Sequence, residues 1–478
     1  MSALPGVEYW GASSVRGPLL VIEGVDGVGW DEVAAVQLDS GEIRHGIVLD
    51  IHRDWAVVEI LQGTAGVRLD EVRVSFAGTP LRIPVGEGWL GRVCNGRGEP
   101  LDGGPPVTGR ERRDTTGRPI NPAVRETPRD AILTGVSAID GLATLVRGQK
   151  LPIFSVGGLP HLELAAQVAA HARVPEAAPF AVVFAAVGIT HADAAEVRDV
   201  LEERAATGDL ALFVNTVDDP LVERVVTPRI ALSVAEHLAF DLGRHVLVVI
   251  ADVTSYCEAV REVAAARGEV PSRRGYPGYL YSDLASLYER AGRVRGRPGS
   301  LTQLPVLTMP AGDITHPVPD LTGYITEGQL VLDPELHVRG VYPPFDALGS
   351  LSRLMRLGAG PGKTRDDHLE IAAQLYAFAA RARQVADLAD VVGADALAPG
   401  EARFLDFGEA FQRDFLAQGR RETRSLDETL DRAWRVASAL PRRELTMVSG
   451  PALDAHFRQP AGEEGAKDAS SDASWQGG

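Results

Sequence analysis

The chain has 478 residues, and 65 Asp and Glu against 48 Lys and Arg leave a formal charge of −17. That acidity argues against a general nucleic-acid binder, whose affinity rests on clustered positive charge. With 45% hydrophobic and 24% charged residues, the composition is that of a globular protein of roughly two to four domains, with core enough to need no staples.

Only Cys94 and Cys257 are present, so there is no disulfide framework, and both read as buried thiols of a reducing compartment. Met1–Trp10 lacks the basic start and apolar run of a secretory signal. Ala177–Ile189 and Val246–Ala251, the longest apolar stretches, fall short of the ~20 residues needed to cross a bilayer. A soluble protein is expected, one that can still sit on a membrane-embedded partner.

The first segment predicts a small β domain, a closed barrel or a meander. Glu32–Leu38, Glu42–Ile51 and Trp55–Leu61 are Val- and Ile-rich runs, joined by turns at Asp39-Ser40-Gly41 and His52-Arg53-Asp54. Glu42, Arg44 and Glu59 interrupt the apolar pattern, as strands with one wet face would. From Gly86 to Pro128 the chain is rich in Gly and Pro and reads as a loop-rich domain junction.

From about Ile132 the grammar changes. Strand-like runs at Leu151–Ser155, Phe180–Val187, Leu210–Asn215 and His245–Ala251 alternate with helical runs at Leu162–Ala172, Ala192–Ala206 and Val222–Ala239. Strands apolar on both faces between helices predict a parallel sheet covered on both sides.

The last part predicts helices. Asp367–Leu388 is amphipathic, and Phe404, Phe407, Phe411 and Phe415 share one helix face, as core residues would. Ser425-Leu426-Asp427-Glu428 reads as a capping box opening a helix that Pro441 stops. Ala461–Gly478 is small, polar and acidic and is expected to be disordered. No internal repeat at solenoid periods is visible.

Strand, glycine turn and helix at Phe154–Leu162 is where a phosphate loop would sit. On the G-x-x-x-x-G-K-[ST] template, Ser155 takes the first glycine, and Pro160, His161 and Leu162 replace Gly-Lys-Ser/Thr. Pro160 has no N–H for a phosphate. His161 is shorter than Lys and mostly neutral at pH 7, and Leu162 has no hydroxyl for Mg²⁺. Such a loop should not hold a triphosphate in the usual way, leaving Gly157, Gly158, Pro160 and His161 as a degenerate site. His245–Asp252 resembles a Walker B strand, but with no working loop beside it Asp252 reads better as a strand-end Asp satisfied by nearby backbone. Gly358–Thr364 imitates a phosphate loop, but its spacing fails and no strand precedes it, so it reads as an ordinary loop. His161, His191, His245, His316 and His368 are scattered singly, so no metal site is expected, and no G-x-S-x-G elbow occurs.

Longer blocks carry a resemblance. They are Ile120–Glu126 (INPxxRE), TGVSAIDGLATLVRGQKLPIFS (134–155), VIADVTSYCEAVREV (249–263), PSRRGYPGYLYSDLASLYERAGRVRG (271–296), DITHPVPDLTGYITEGQ (313–329) and YPPFDALGSLSRLM (342–355). Across residues 10–458 the chain resembles the B subunits, or beta chains, of V-type and archaeal-type rotary ATPases. The resemblance implies an α/β protein in three parts: an N-terminal β-barrel over 1–76, a central RecA-like parallel α/β domain over 77–347, and a C-terminal helical bundle over 348–458, followed by the acidic tail at 459–478.

It also implies a non-catalytic, regulatory subunit that alternates with catalytic A subunits in a hexameric ring, with central-stalk rotor and peripheral-stalk partners. Such a chain is cytoplasmic and peripheral to the membrane without inserting in it, and its complex couples ATP chemistry to ion transport. ATP or ADP with Mg²⁺ would sit at the A–B interface, held mainly by the catalytic A subunits. Arg353, in Ser350-Leu351-Ser352-Arg353-Leu354-Met355, matches the family's trans-acting arginine. Its guanidinium is always charged and can fork onto phosphate oxygens. Where hydrolysing members carry Gly-Glu-Arg at the end of a sheet strand, this chain has Gly188-Ile189-Thr190, and Ile189 cannot orient water. The usual Gly-Ser-Gly before Leu-Pro-His is Val156-Gly157-Gly158 here.

A stand-alone ATPase is disfavoured by two separate losses, at His161 and Ile189. A nucleotide-sensing or scaffolding module would leave the Arg353 block unexplained, and an F-type alpha chain would keep the phosphate-loop Lys. The Arg- and Tyr-rich stretch Arg273–Tyr288 reads as interface material.

Overall fold

The computed structural model describes residues 7–458. The tail expected to be disordered lies outside the described residues.

Seven antiparallel strands build the N-terminal domain: β1 (Glu8–Trp10), β2 (Ser14–Arg16), β3 (Leu19–Glu23), β4 (Glu32–Gln37), β5 (Ile43–His52), β6 (Trp55–Ile60) and β7 (Arg73–Pro80). Their order is β1-β7-β4-β5-β6-β3-β2. The three strands expected from sequence form, and the turn Arg53-Asp54 closes the β5–β6 hairpin at the His52–Trp55 pair. The other four strands escaped the pattern because two are only three residues long and none carries a sustained alternation.

Alternation decides the packing. Ala56, Val58 and Ile60 of β6 fill the barrel with Leu20, Val36 and Val74. The opposite face of β3, β5 and β6 is not wet. Leu19, Leu49 and Val57 pack on Val263 of the next domain, and Glu59 on that same face is buried. The expectation that Glu59 marks a solvated face is therefore corrected: its face is the seam between two domains.

The central sheet comprises β8 (Arg92–Asn95), β9 (Ile153–Val156), β10 (Phe180–Ile189), β11 (Leu210–Thr216), β12 (His245–Ala251), β13 (Ser300–Met309), β14 (Gly328–Val331) and β15 (Leu351–Ser352). The order along the main path is β15-β14-β9-β13-β12-β10-β11-β8. Along this path all neighbours are parallel except β15, which runs antiparallel to β14 at one edge, and off the path the short strands Gly292–Val294 and Arg125–Glu126 add antiparallel pairs beside β13.

Two corrections follow. The loop-rich stretch after Gly86 contributes β8, an edge strand in which Cys94 is buried. The ten-residue β13 lies in the middle of the sheet, hidden from a hydropathy reading by Gln303 and Pro305. Gln303 is fully buried: its amide nitrogen donates to Leu287 O at 2.9 Å, while its Oε1 is enclosed without a partner, so the polar residue is half satisfied inside the core.

Helices α1 (His161–His171), α2 (His191–Ala206), α3 (Leu221–Glu236) and α4 (Val253–Ala266) connect the strands. Apolar clusters on both sides of the sheet, one with Phe184 and Val249 and the other with Val183 and Val248, show that both faces are covered. Cys94 and Cys257 are buried and free.

The C-terminal part contains α5 (His368–Val392), α6 (Pro399–Ala410) and α7 (Leu426–Ala437). A π-helical turn, Phe411–Leu416, prolongs α6. The phenylalanine face forms as expected: Phe407 stacks on Phe411 at 5.8 Å, Phe411 on Phe415 at 5.5 Å, and Phe378 of α5 meets Phe407 edge-on at 5.3 Å. The capping box at Ser425 is half made: Ser425 Oγ accepts from Glu428 N at 3.1 Å, while the Glu428 carboxylate turns to Arg432.

Candidate functional site

The carboxyl ends of β9, β10 and β12 open into a cleft of about 410 Å³, at the position where open α/β sheets take ligands. Gly158, Pro160 and His161 line it from the β9–α1 turn, Ile189 from the end of β10, and Asp252 from the end of β12. The structure thus brings together most of the residues singled out from sequence as a degenerate nucleotide site; Gly157, in the same turn, is not among the lining residues.

The local chemistry departs from a phosphate cradle at each point. Pro160 caps α1 with no side-chain acceptor. The His161 N–H is spent on Leu159 O at 2.9 Å, and Leu159 N–H on Val156 O at 3.2 Å. His161 Nδ1 lies 2.8 Å from Leu159 O, so that nitrogen carries a proton and donates back into the turn. Two of the amides that a phosphate would need, those of Leu159 and His161, therefore close the loop on itself. Gly158 keeps the left-handed backbone of the turn at φ +89°.

Ile189 belongs to the apolar core beneath the cleft. Thr190 and Asp193, next along, form a full capping box for α2: Thr190 Oγ1 accepts from Asp193 N at 3.2 Å, and the Asp193 carboxylate accepts from Thr190 N at 3.3 Å. Asp252 caps α4 by accepting from Thr254 N at 2.6 Å, and its other oxygen accepts from Thr308 Oγ1. Burial pushes the Asp252 carboxyl above its usual range.

Two cleft residues had no signal in the sequence. Arg420, far along the chain in the helical part, reaches in to pair with Glu163 of α1, and its guanidinium lies 5.0 Å from the Tyr342 ring centre. A cleft with Arg420 and Glu163 bridged across it, and with Glu196 and Asp193 on its wall, does not fit a Mg²⁺–triphosphate.

Arg353 stands apart from this cleft. It follows β15 at the sheet edge, where its N–H donates to Glu327 O at 3.0 Å. Neighbouring Ser352 is pinned: its hydroxyl donates to Thr144 O at 3.0 Å and accepts from Gln149 Nε2 at 3.0 Å. The Arg353 side chain is exposed and has no hydrogen bond or ion pair among the described residues. The result is a fixed backbone carrying an uncommitted guanidinium.

The Arg273–Tyr288 stretch divides. Tyr276 and Tyr288 are core residues, Arg273 and Arg274 pair with Asp320 (3.0 Å) and Asp313 (2.6 Å), and Tyr279 and Tyr281 remain exposed. The Gly358–Thr364 loop binds itself, with Thr364 Oγ1 accepting from Gly360 N at 2.7 Å and Lys363 Nζ donating to Leu357 O.

A barrel, a parallel sheet with a ligand cleft at its carboxyl edge and a helical C-terminal part define a nucleotide-binding-type domain set between two accessory parts. Family models agree. Residues 12–78 match the beta-barrel domain of the ATP synthase alpha/beta family, 135–352 its nucleotide-binding domain, and 357–457 the C-terminal domain of V and A type ATP synthase.

Among curated proteins, the B subunit of an A-type ATP synthase from Aeropyrum pernix is 56% identical over 92% of this chain and 96% of its own. A V-type ATP synthase beta chain from Halothermothrix orenii is 51% identical over 96% of this chain and 99% of its own. Among solved structures, the ATP synthase subunit NeqB from Nanoarcheaum equitans is 37% identical, with a TM-score of 0.71, covering 89% of this chain and 100% of its own. The chain belongs to the ATP synthase alpha/beta family, within the branch of A-type B subunits and V-type beta chains. No helix among the described residues is long and apolar enough to cross a membrane.

Proposed function

We propose that this chain is the non-catalytic, regulatory B subunit of a rotary ATP synthase or ATPase, and that it completes ATP sites held mainly by a catalytic A subunit. The observation that carries the reading is the cleft at the degenerate loop, where the Leu159 and His161 amides are spent on the Val156 and Leu159 carbonyls. Pro160, His161, Leu162 and Ile189 there offer no phosphate donor, no metal-binding hydroxyl and no group to orient water. The relatives' names speak for the complex: A-type and V-type ATP synthases.

On this reading the A and B chains alternate in a hexameric ring around a central-stalk rotor, held by a peripheral stalk. The soluble ring lies at the cytoplasmic face of a membrane sector that moves ions, and ATP or ADP with Mg²⁺ sits at the A–B interface. Arg353 supplies positive charge in trans to the transferred phosphoryl group. Domain limits of 1–76, 77–347 and 348–458 belong to the same proposal, with the seam residues near the first limit and the Arg353 edge near the second.

Two measurements test it. The isolated chain should release no phosphate from ATP above a no-enzyme control, and His161→Lys should not create activity, since Pro160, Leu162 and Ile189 remain. Phosphate release that scales with the concentration of the verified single chain would refute the non-catalytic role. Co-expression with a catalytic A subunit should give a hetero-oligomer by native mass spectrometry, and a strictly monomeric profile would refute the assembly.

A further inference from the structure

Between the barrel and the α/β domain lies a cleft of about 230 Å³, separate from the degenerate site. Its walls are mainly aliphatic: Ile47 and Leu49 from β5, Val222 and Val226 from α3, Val260 and Val263 from α4. Glu59 of β6 also lines it, 1% exposed. Glu59 Oε1 is fully enclosed and without a hydrogen-bond partner. Antiparallel pairing sets Leu19 and Ile47 on either side of Glu59, so its strand neighbours offer no donor side chain.

The other charged or titratable groups facing this cleft are Asp31 from the approach to β4, Arg229 from α3, Arg267 at the end of α4, Tyr279 just beyond, and Asp283 from the helix Leu280–Tyr288. Each cation is paired with an acid elsewhere, although the Nε of Arg229 and of Arg267 is enclosed without a partner of its own. Arg229 Nη2 donates to Asp283 Oδ1 at 2.6 Å, and Tyr256 OH completes that carboxylate at 2.5 Å. Arg267 Nη1 donates to Glu269 Oε1 at 3.3 Å. Asp31 is exposed. An ionised Glu59 would be a buried charge whose Oε1 has no hydrogen-bond partner, which folded proteins avoid by neutralising the group. A metal is not the missing partner: no group of three or more His, Cys, Asp or Glu among the described residues could hold one.

We propose that the closed seam between the barrel and the α/β domain binds a proton at Glu59, and that opening the seam releases it to solvent. This inference is independent of the subunit role proposed above. Burial pushes the Glu59 carboxyl up to about 7, and the opposing charge of Arg267 is too weak to reverse it. The sign follows from linkage. A carboxyl raised from 4.5 in the open seam to about 7 in the closed one leaves the seam strongest at acid pH. Closure weakens as pH rises from the open value toward the closed one, then levels off. The seam is thereby a proton-sensitive joint between the barrel and the domain that carries the degenerate cleft.

Hydrogen exchange of β6 and α4 in the full chain, corrected for intrinsic rates, reads the opening equilibrium. From about pH 5 to about pH 8, protection at the seam should fall on the order of 10²-fold. Glu59→Gln, neutral and nearly isosteric, should flatten that response to less than about threefold. Arg267→Met removes the opposing charge and should move the midpoint upward while leaving Glu59 in place. A Glu59→Gln chain that keeps the full pH response overturns the proposal. If Glu59→Gln does not fold, Arg267→Met decides: an upward midpoint upholds it, and an unmoved one overturns it.

Discussion

Replacing Arg353 with alanine should lower ATP turnover by a rebuilt A–B ring by about 10³–10⁵-fold, or ~4–7 kcal/mol of transition-state stabilisation. The expectation rests on three features of its placement. The backbone is fixed at a sheet edge, by the β14–β15 pairing and by Ser352. The guanidinium is exposed and uncommitted among the described residues. Finally, Arg353 does not line the degenerate cleft of its own chain, so its charge is available to a site outside it.

Phosphoryl transfer needs positive charge where negative charge develops on the equatorial oxygens. The catalytic partner is expected to bring the phosphate loop, the metal ligand and the water-orienting carboxylate, and a cation entering from across the interface completes the set. ATP affinity should fall far less than turnover, because the charge that Arg353 meets grows mainly in the transition state. Arg353→Lys should also be poor, since an ammonium cannot fork onto two oxygens. Turnover and ATP affinity would be measured on rings assembled with each variant. An alanine ring working within about threefold of the parent, less than ~1 kcal/mol, would show that the role lies elsewhere.

Which parts of this molecule could be read before folding has a physical pattern. Strands buried on both faces, such as His245–Ala251, announce themselves, because every residue is apolar after the first and a helix follows. The central strand Ser300–Met309 does not, because Gln303 and Pro305 sit within it, and the Gln303 amide finds its acceptor, Leu287 O, only in the folded chain. The defects of the phosphate loop were legible residue by residue, since each is a lost functional group. What fills the space was not: Arg420 meets Glu163 only because the helical part folds back over the sheet edge. Glu59 is the sharpest case. Alternation correctly placed it opposite the barrel core, but alternation reports which face a residue is on, not what lies against that face. Here a second domain lies there, and the residue read as wet is 1% exposed.

The same blindness to tertiary partners hides a large expected stability effect in the central domain. Arg290 is fully buried. Its Nε and Nη2 fork onto the Glu236 carboxylate at 2.7 and 2.8 Å, Nη2 also reaches Ser233 Oγ at 2.8 Å, and Nη1 donates to Thr115 O at 3.1 Å. Three separate pieces of chain are tied at one guanidinium: the loop at Thr115, the last turn of α3, and the segment after Leu280–Tyr288. Glu236 ends α3 but the chain stays helical through a π-helical turn, His237–Asp241, and with its side chain only 13% exposed the carboxylate depends on this partner rather than on water. The fit is close: a Cβ added to Gly117, whose φ is +64°, would fall 2.3 Å from Arg290 Cζ.

Arg290→Ala should therefore cost about 3–5 kcal/mol, because Glu236 is left a largely buried charge without its partner. Arg290→Met restores much of the volume but not the charge and should stay strongly destabilised. Adding Glu236→Gln to Arg290→Met should recover part of the loss, as a pair whose two members are removed together escapes the unpaired-charge penalty. Denaturant midpoints followed by the far-ultraviolet signal of the full chain would report all three. A loss below ~1 kcal/mol for Arg290→Ala, or no recovery in the double variant, would mean that the fork is incidental and that apolar packing alone holds these three segments.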